Sequence, residues 1–212
     1  MSTAIPAPGL GFGRDRLVLA DVLAPSRGAV TTAALVVSGA GLVAVLAQVS
    51  VPLWPVPVTG QTLGVLLVGA ALGARRAAAA MTTYMAAGLA GLPVFAGAGA
   101  GIASVAMPSF GFVLGFIPAA TFIGWLAQRH WDRRPVLALA GFAVASLIPF
   151  LLGVPYMGMI LAGLGMPHDV ATLVSLGVTP FIIGGVVKAV LAAGLMPLAH
   201  RAARALRGRA SG

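Results

Sequence analysis

Two long stretches without a charged side chain constrain this chain more than any other feature. Residues 28–74 run uncharged between Arg27 and Arg75, and residues 77–128 run uncharged between Arg76 and Arg129. A helix needs about 20 apolar residues to cross about 30 Å of hydrocarbon. Each stretch therefore holds two crossings. Charged residues make up 8% of the chain, against about 25% in soluble domains. The expected fold class is an all-α integral membrane protein.

Proline and glycine divide these stretches. Pro52, Pro55 and Pro57 cannot continue a helix. They separate predicted spans at 29–50 and 60–74. The Gly-rich segment Gly91–Gly101 reads as a loop between spans at 76–91 and 107–128. Residues 135–167 hold a fifth span ending near 155, followed by a loop through Tyr156 and Gly165. Residues 169–176 suit a short interfacial helix. Thr179-Pro180 reads as an N-cap with proline at the first helical position, opening a sixth span to about 200. The expectation is a six-helix bundle over residues 29–200, with an N-terminal arm at 1–28 and a basic tail at 201–212. The arm lacks the apolar core of a signal peptide.

Six spans put both termini on one side of the membrane. Every arginine lies in the arm, at Arg75-Arg76, in the 129–134 turn or in the tail, while the loops at 51–59, 92–106 and 156–169 hold no Lys or Arg. By the positive-inside rule the arginine-bearing side, with both termini, is cytoplasmic. The net charge of +9 is explained by these flanks, so nucleic acid is not an expected partner. Membrane lipid is.

Several chemistries are absent. There is no cysteine and no phosphate-binding G-x-x-x-x-G-K-[ST] motif. His130, His168 and His200 all lie near span ends, which argues against a metal site. No Asp, Glu or His falls inside a span, where a proton-coupled carrier would need one. Glycine pairs at Gly60/Gly64, Gly69/Gly73 and Gly111/Gly115 have close-packing spacing. A second small stripe, Ala34/Ser38 and Ala40/Ala44, suits either internal packing or a partner-docking face.

Lys188 is the sole lysine and the sole basic residue inside a span. A charge at that depth costs roughly 2.5–3.5 kcal/mol on insertion scales, so such residues mark functional sites unless they snorkel or bond a backbone carbonyl. Lys188 lies about 12 Å below Pro180 at 1.5 Å per residue. An unpaired cation there invites an anionic ligand entering from outside. The outer loops offer Trp54, Phe95 and Tyr156 as apolar surfaces, with Thr59 and Gln61 as hydrogen-bonding groups. Trp54 and Tyr156 fit an interfacial belt equally well. Tyr84 fits either the ligand site or helix packing.

The stretches Pro55-Val-Pro-Val-Thr-Gly-Gln-Thr-Leu63, Gly69-Ala-Ala-Leu-Gly-Ala-Arg75 and Gly88-Leu-Ala-Gly-Leu-Pro-Val-Phe-Ala-Gly97, together with Tyr84, resemble the BioY family. Pro108–Phe116 is similar to that family's Pro-Thr-x-Gly-Tyr stretch. Pro180–Lys188 is similar to its Pro-Phe-x-x-Gly-Asp-x-x-Lys pattern, with Gly185 in place of the aspartate. The resemblance runs from about Leu35 to Ala193. It implies the biotin-specific substrate-binding component of an energy-coupling factor transporter. The implied partners are biotin, a transmembrane coupling protein and cytoplasmic ATPases, and the implied setting is the bacterial cytoplasmic membrane. It further implies a ligand site of Lys188, Tyr84, Phe95, Gly97, Trp54, Thr59, Gln61 and Tyr156, with Lys188 on the valerate carboxylate. No cofactor or catalysis is implied. The competing readings are a stand-alone carrier of an organic anion and a membrane enzyme using Lys188.

Overall fold

A computed structural model describes residues 18–23, 28–131 and 134–210. The elements are α1 (Leu19–Leu23), α2 (Ala29–Gln48), β1 (Ser50–Val51), β2 (Val58–Thr59), α3 (Gln61–Leu72), α4 (Ala74–Leu89), α5 (Phe110–Ala127), α6 (Pro135–Gly163), α7 (Val170–Gly177) and α8 (Thr179–Ala210). Short turns of 3-10 helix at Ala96–Ala98 and Ile102–Ala106 shape the α4–α5 connection. Four segments, 29–48, 110–127, 136–163 and 170–203, are long and apolar enough to cross a membrane.

The bundle is held by close helix approaches that glycine permits. A side chain at Gly69 would meet the Ala120 carbonyl of α5 at 2.9 Å, and one at Gly64 would meet α2 at Val43 and Leu46. Gly115 of α5 lies against the Pro149 backbone of α6, and Gly111 lies against Tyr156. Between lipid-solvated helices such contacts supply dispersion energy that burial of apolar surface cannot. The three glycine pairs therefore serve packing within the bundle. Gly73 adds a positive φ of 79° at the tight α3–α4 turn.

α6 differs from expectation. It does not end near 155 but continues to Gly163, with Pro149 and Pro155 inside it. Proline deletes a backbone bond and would break an exposed helix. Here neighbouring helices compensate, as they do inside membranes: α5 opens a glycine slot for Pro149. Tyr156 therefore lies on a helix, and the connection to α7 shrinks to residues 164–169. At α8 the proposed Thr179 cap is also absent. Thr179 is already helical, and its hydroxyl donates back to the Val174 carbonyl at 3.1 Å. Asp169 does cap α7, accepting from Thr172 N at 3.1 Å. α8 passes residue 200 and runs to Ala210.

The N-terminal arm lies mostly outside the described residues, as do Arg14, Arg16, Arg27, Asp15, Asp132 and Arg133. Its described part, α1, is docked: Val18, Leu19 and Ala20 are buried. Asp21 pairs with Arg76 of α4 at 2.8 Å.

Candidate ligand-binding site

α3 has 12 residues, about 18 Å of helix. It starts well inside the bundle, and the space beyond its first turn is a cavity of about 410 Å³. Such a volume lies in the range of small-molecule sites, about 300–1,000 Å³. The β1–β2 hairpin, with Ser50 opposite Thr59 and Val51 opposite Val58, roofs one side. The 95–99 turn and Ser104–Ser109 roof the other, and α5, α6 and the start of α8 form the walls.

The walls are aromatic. Phe110, Phe112 and Phe116 come from α5, Phe150 from α6 and Phe181 from α8. Phe112 stacks on Phe181 at 5.9 Å and meets Phe150 edge-on at 5.6 Å. Phe95 packs edge-on against Tyr84 at 5.5 Å, over Gly88, where a methyl group would fall within its ring. These contacts fix ring planes by quadrupole geometry as well as burial.

The polar groups are neutral and ordered in series. The Thr59 hydroxyl donates to Gln61 Oε1 at 2.7 Å. Gln61 Nε2 donates to the Tyr84 hydroxyl at 2.5 Å, and that hydroxyl donates to the Val94 carbonyl at 3.1 Å. Because Tyr84 gives its only proton to a carbonyl, Gln61 must present its NH2 to Tyr84. One Gln61 N–H remains for the cavity. Ser146 of α6 also lines it, with its hydroxyl donating to the Phe142 carbonyl at 2.8 Å and its lone pairs still able to accept.

Of the residues singled out from sequence, Trp54, Thr59, Gln61, Phe95 and Gly97 line the cavity. Tyr84, Tyr156 and Lys188 do not. Tyr84, 1% exposed, supports Gln61 from behind. The Tyr156 hydroxyl donates to the Val105 carbonyl and so holds the Ile102–Ala106 turn to α6. Lys188 reaches the cavity only through a neighbour: its Nζ donates to the Thr59 carbonyl at 2.5 Å. This is the backbone-carbonyl pairing named above as the alternative to a ligand contact, and it sets the amine beside Thr59, which lines the cavity. A cation with no carboxylate beside it takes the nearest strong acceptor, here the carbonyl at the end of β2. The described carboxylates are engaged elsewhere, Asp21 with Arg76 and Asp169 at the α7 cap. No side chain at Gly185 supplies the missing acid, and a Cβ there would meet open space.

The small stripe of α2 divides. Ala40 is buried and Ala44 packs on the core, whereas Ala34 and Ser38 are exposed. Ser38 borders an apolar groove among α2, α3 and α8.

Sequence reasoning missed Gln48, which holds the far roof. Its Nε2 donates to the Phe95 carbonyl at 3.1 Å and its Oε1 accepts from Ala98 N at 3.0 Å. That bond fixes Ala98 at a φ of 58°, unusual for a residue with a Cβ. Ser146 was missed as well, although it is the only polar side chain between Pro135 and Pro155. Among the described residues no His, Asp and Glu cluster could hold a metal ion.

Comparison with known proteins agrees in family. The BioY family model matches residues 19–205. The biotin transporter BioY of Rhizobium etli is 36% identical over 70% of this chain and 80% of its own length. The biotin transporter BioY2 of Lactococcus lactis subsp. cremoris is 34% identical over 74% of this chain and 83% of its own. Among solved structures, the S-component for biotin from an ECF-type ABC transporter superposes with a TM-score of 0.60, covering 81% of this chain and 92% of that one, at 22% identity. That likeness establishes the fold. With the family match spanning the bundle and its cavity, this chain belongs to the BioY family.

Proposed function

We propose that this protein captures biotin from outside a bacterial cytoplasmic membrane and passes it inward as the substrate-binding subunit of an energy-coupling factor transporter. It is a transport protein and not an enzyme. The observation that carries the ligand reading is the cavity itself: aromatic walls with neutral hydrogen-bonding groups at its inner end. Biotin's fused rings suit the phenylalanines. Its cyclic urea has one carbonyl acceptor and two N–H donors, which the free Gln61 N–H and the oxygens of Thr59 and Ser146 complement. Lys188 serves by fixing Thr59.

The six-span arrangement has α2, α3, α4, α5, α6 and α8 crossing in turn. The cavity then opens at the outer face. Arg75, Arg76, Arg129, Arg134 and Arg201, at the other ends of the same helices, face the cytoplasm with both termini. Arg129 lies 3.8 Å over the Trp125 ring, an arrangement that suits an interfacial anchor. The exposed Ala34–Ser38 face and the adjoining groove are the surface we assign to a transmembrane coupling protein, with cytoplasmic ATPases beyond it.

Calorimetry on the purified protein tests the ligand. Tight biotin binding that Gln61→Leu weakens at least about tenfold, a loss of about 1.4 kcal/mol, is the expected result. A wild-type protein that ignores biotin overturns it. Sealed vesicles holding this chain alone, compared with vesicles holding it with coupling protein and ATPases, test the partners. Equal uptake by the two would favour a stand-alone carrier.

A further inference from the structure

The last turns of α5 are open on one side only. Ile123, Gly124, Leu126 and Ala127 are buried, whereas Trp125 is 43% exposed and Phe122 partly so. Phe122, Trp125 and Arg129 fall at i, i+3 and i+7, a single stripe of a helix. The stripe outlasts α5 itself, because Arg129 N donates to the Leu126 carbonyl at 2.9 Å. The two rings stack, with 6.2 Å between centroids and 27° between planes. The Arg129 guanidinium lies 3.8 Å over the Trp125 ring. Its side chain therefore runs back along the apolar stripe.

Stacking engages a face of the guanidinium and leaves its five N–H donors at the edge. Among the described residues no carboxylate meets them: Asp21 pairs with Arg76 and Asp169 caps α7. An apolar aromatic surface that ends in an unpaired cation is the complement of an acidic lipid.

We propose that Phe122, Trp125 and Arg129 form a binding site for one anionic phospholipid, with its acyl chain along the two rings and its phosphate on the guanidinium. The planar fork matches two phosphate oxygens at once. Selection for net negative charge follows from the surroundings. Arg75 and Arg134 are exposed at the same end of the bundle, and a zwitterionic headgroup would bring a further cation among them. The site shares no residue with the ligand cavity or with the α2–α3–α8 groove. It stands whether or not biotin is the ligand.

Native mass spectrometry of the full chain tests it, with phosphatidylglycerol and phosphatidylcholine supplied in equal amounts. The wild type should retain phosphatidylglycerol over phosphatidylcholine by about fivefold or more, the worth of one arginine near an anionic surface. Arg129→Gln should abolish the preference. Trp125→Leu should reduce it, because a guanidinium without its ring is released to water. Arg201→Gln should leave it unchanged: that arginine is exposed on α8 and has no ring beneath it among the described residues. A wild type that holds both lipids alike overturns the proposal, and so does an Arg129→Gln protein that keeps the preference. Equal losses in Arg129→Gln and Arg201→Gln would mean diffuse attraction to a basic surface and overturn it too. The wild-type comparison stands even if a variant does not fold.

Discussion

The two roofs of the cavity are built differently. The 92–101 side is tied down at every step. Gln48 holds the Phe95 carbonyl and the Ala98 N–H, Tyr84 holds the Val94 carbonyl, and Phe95 itself is buried over Gly88. In the β1–β2 hairpin only residues 51–54 lack such ties, because Val56 is buried in a cluster with Phe112, Met157 and Leu161. Val51, Pro52, Leu53 and Trp54 are exposed, and its order is set where the strands end, at Thr59, which Gln61 and Lys188 hold. Local stability follows local contacts. One roof is a fixed wall of the cavity, and the exposed 51–54 tip of the other is its least tethered part.

This contrast predicts unequal responses to substitution. The largest effect belongs to Gly88→Ala. Its methyl group would displace the Phe95 ring, costing about 1–3 kcal/mol in stability by overpacking and removing a cavity wall. Thermal unfolding and biotin calorimetry should both register it, and an unchanged affinity would mean the fixed wall is not part of the site. Gln48→Ala comes next, with biotin dissociating about 10- to 30-fold faster, from the loss of bonds worth about 0.5–1.5 kcal/mol each. A change confined to association would place the moving part on the 92–101 side and reverse the comparison. Trp54→Ala should alter affinity less than about fivefold and act chiefly on association, because an exposed side chain has little contact to lose. Stopped-flow Trp fluorescence of the remaining tryptophans follows it.

The smallest effect is expected at Asp169, which belongs to neither roof. Hydrogen bonds from the Thr172 side chain and backbone hold its carboxyl below the ordinary value. Such a group stabilises fully above the unfolded value, about pH 4, and its contribution is lost as pH falls through the folded one. The α7 cap should therefore weaken only in acid, and Asp169→Asn should leave biotin affinity at neutral pH unchanged. A neutral-pH loss of affinity would tie α7 to the hairpin.

Much of the architecture was legible because charge is so scarce. Arg75-Arg76 and Arg129 mark helix ends within a few residues, and Pro52–Pro57 marks the hairpin. α6 was misread for a physical reason: Pro149 and Pro155 are breakers in isolation, and only the glycine slot on α5 makes them tolerable. Half the cavity was legible in the same way. Thr59, Gln61 and Phe95 fall in distinctive loop sequences. Phe112, Phe116 and Phe150 fall in apolar runs where every residue looks alike. Gln48 carries no local signal at the end of α2, because its loop partners lie 46 to 50 residues away. Lys188 drew attention correctly as an unusual residue. A backbone carbonyl was one partner the sequence allowed, but which carbonyl could not be read, since Thr59 lies 129 residues away.

The unequal helix lengths have a consequence for the surrounding bilayer. α6 has 29 residues, about 44 Å of helix, and α3 has 12, about 18 Å. In the six-span arrangement proposed above, a hydrocarbon layer of about 30 Å would fit neither, so the long helix would tilt or protrude and the short one would need shielding by its neighbours. Shortening the acyl chains would press the lipid surface towards the hairpin, and lengthening them would bury its tip. In that arrangement membrane thickness would bear on the hairpin side of the cavity.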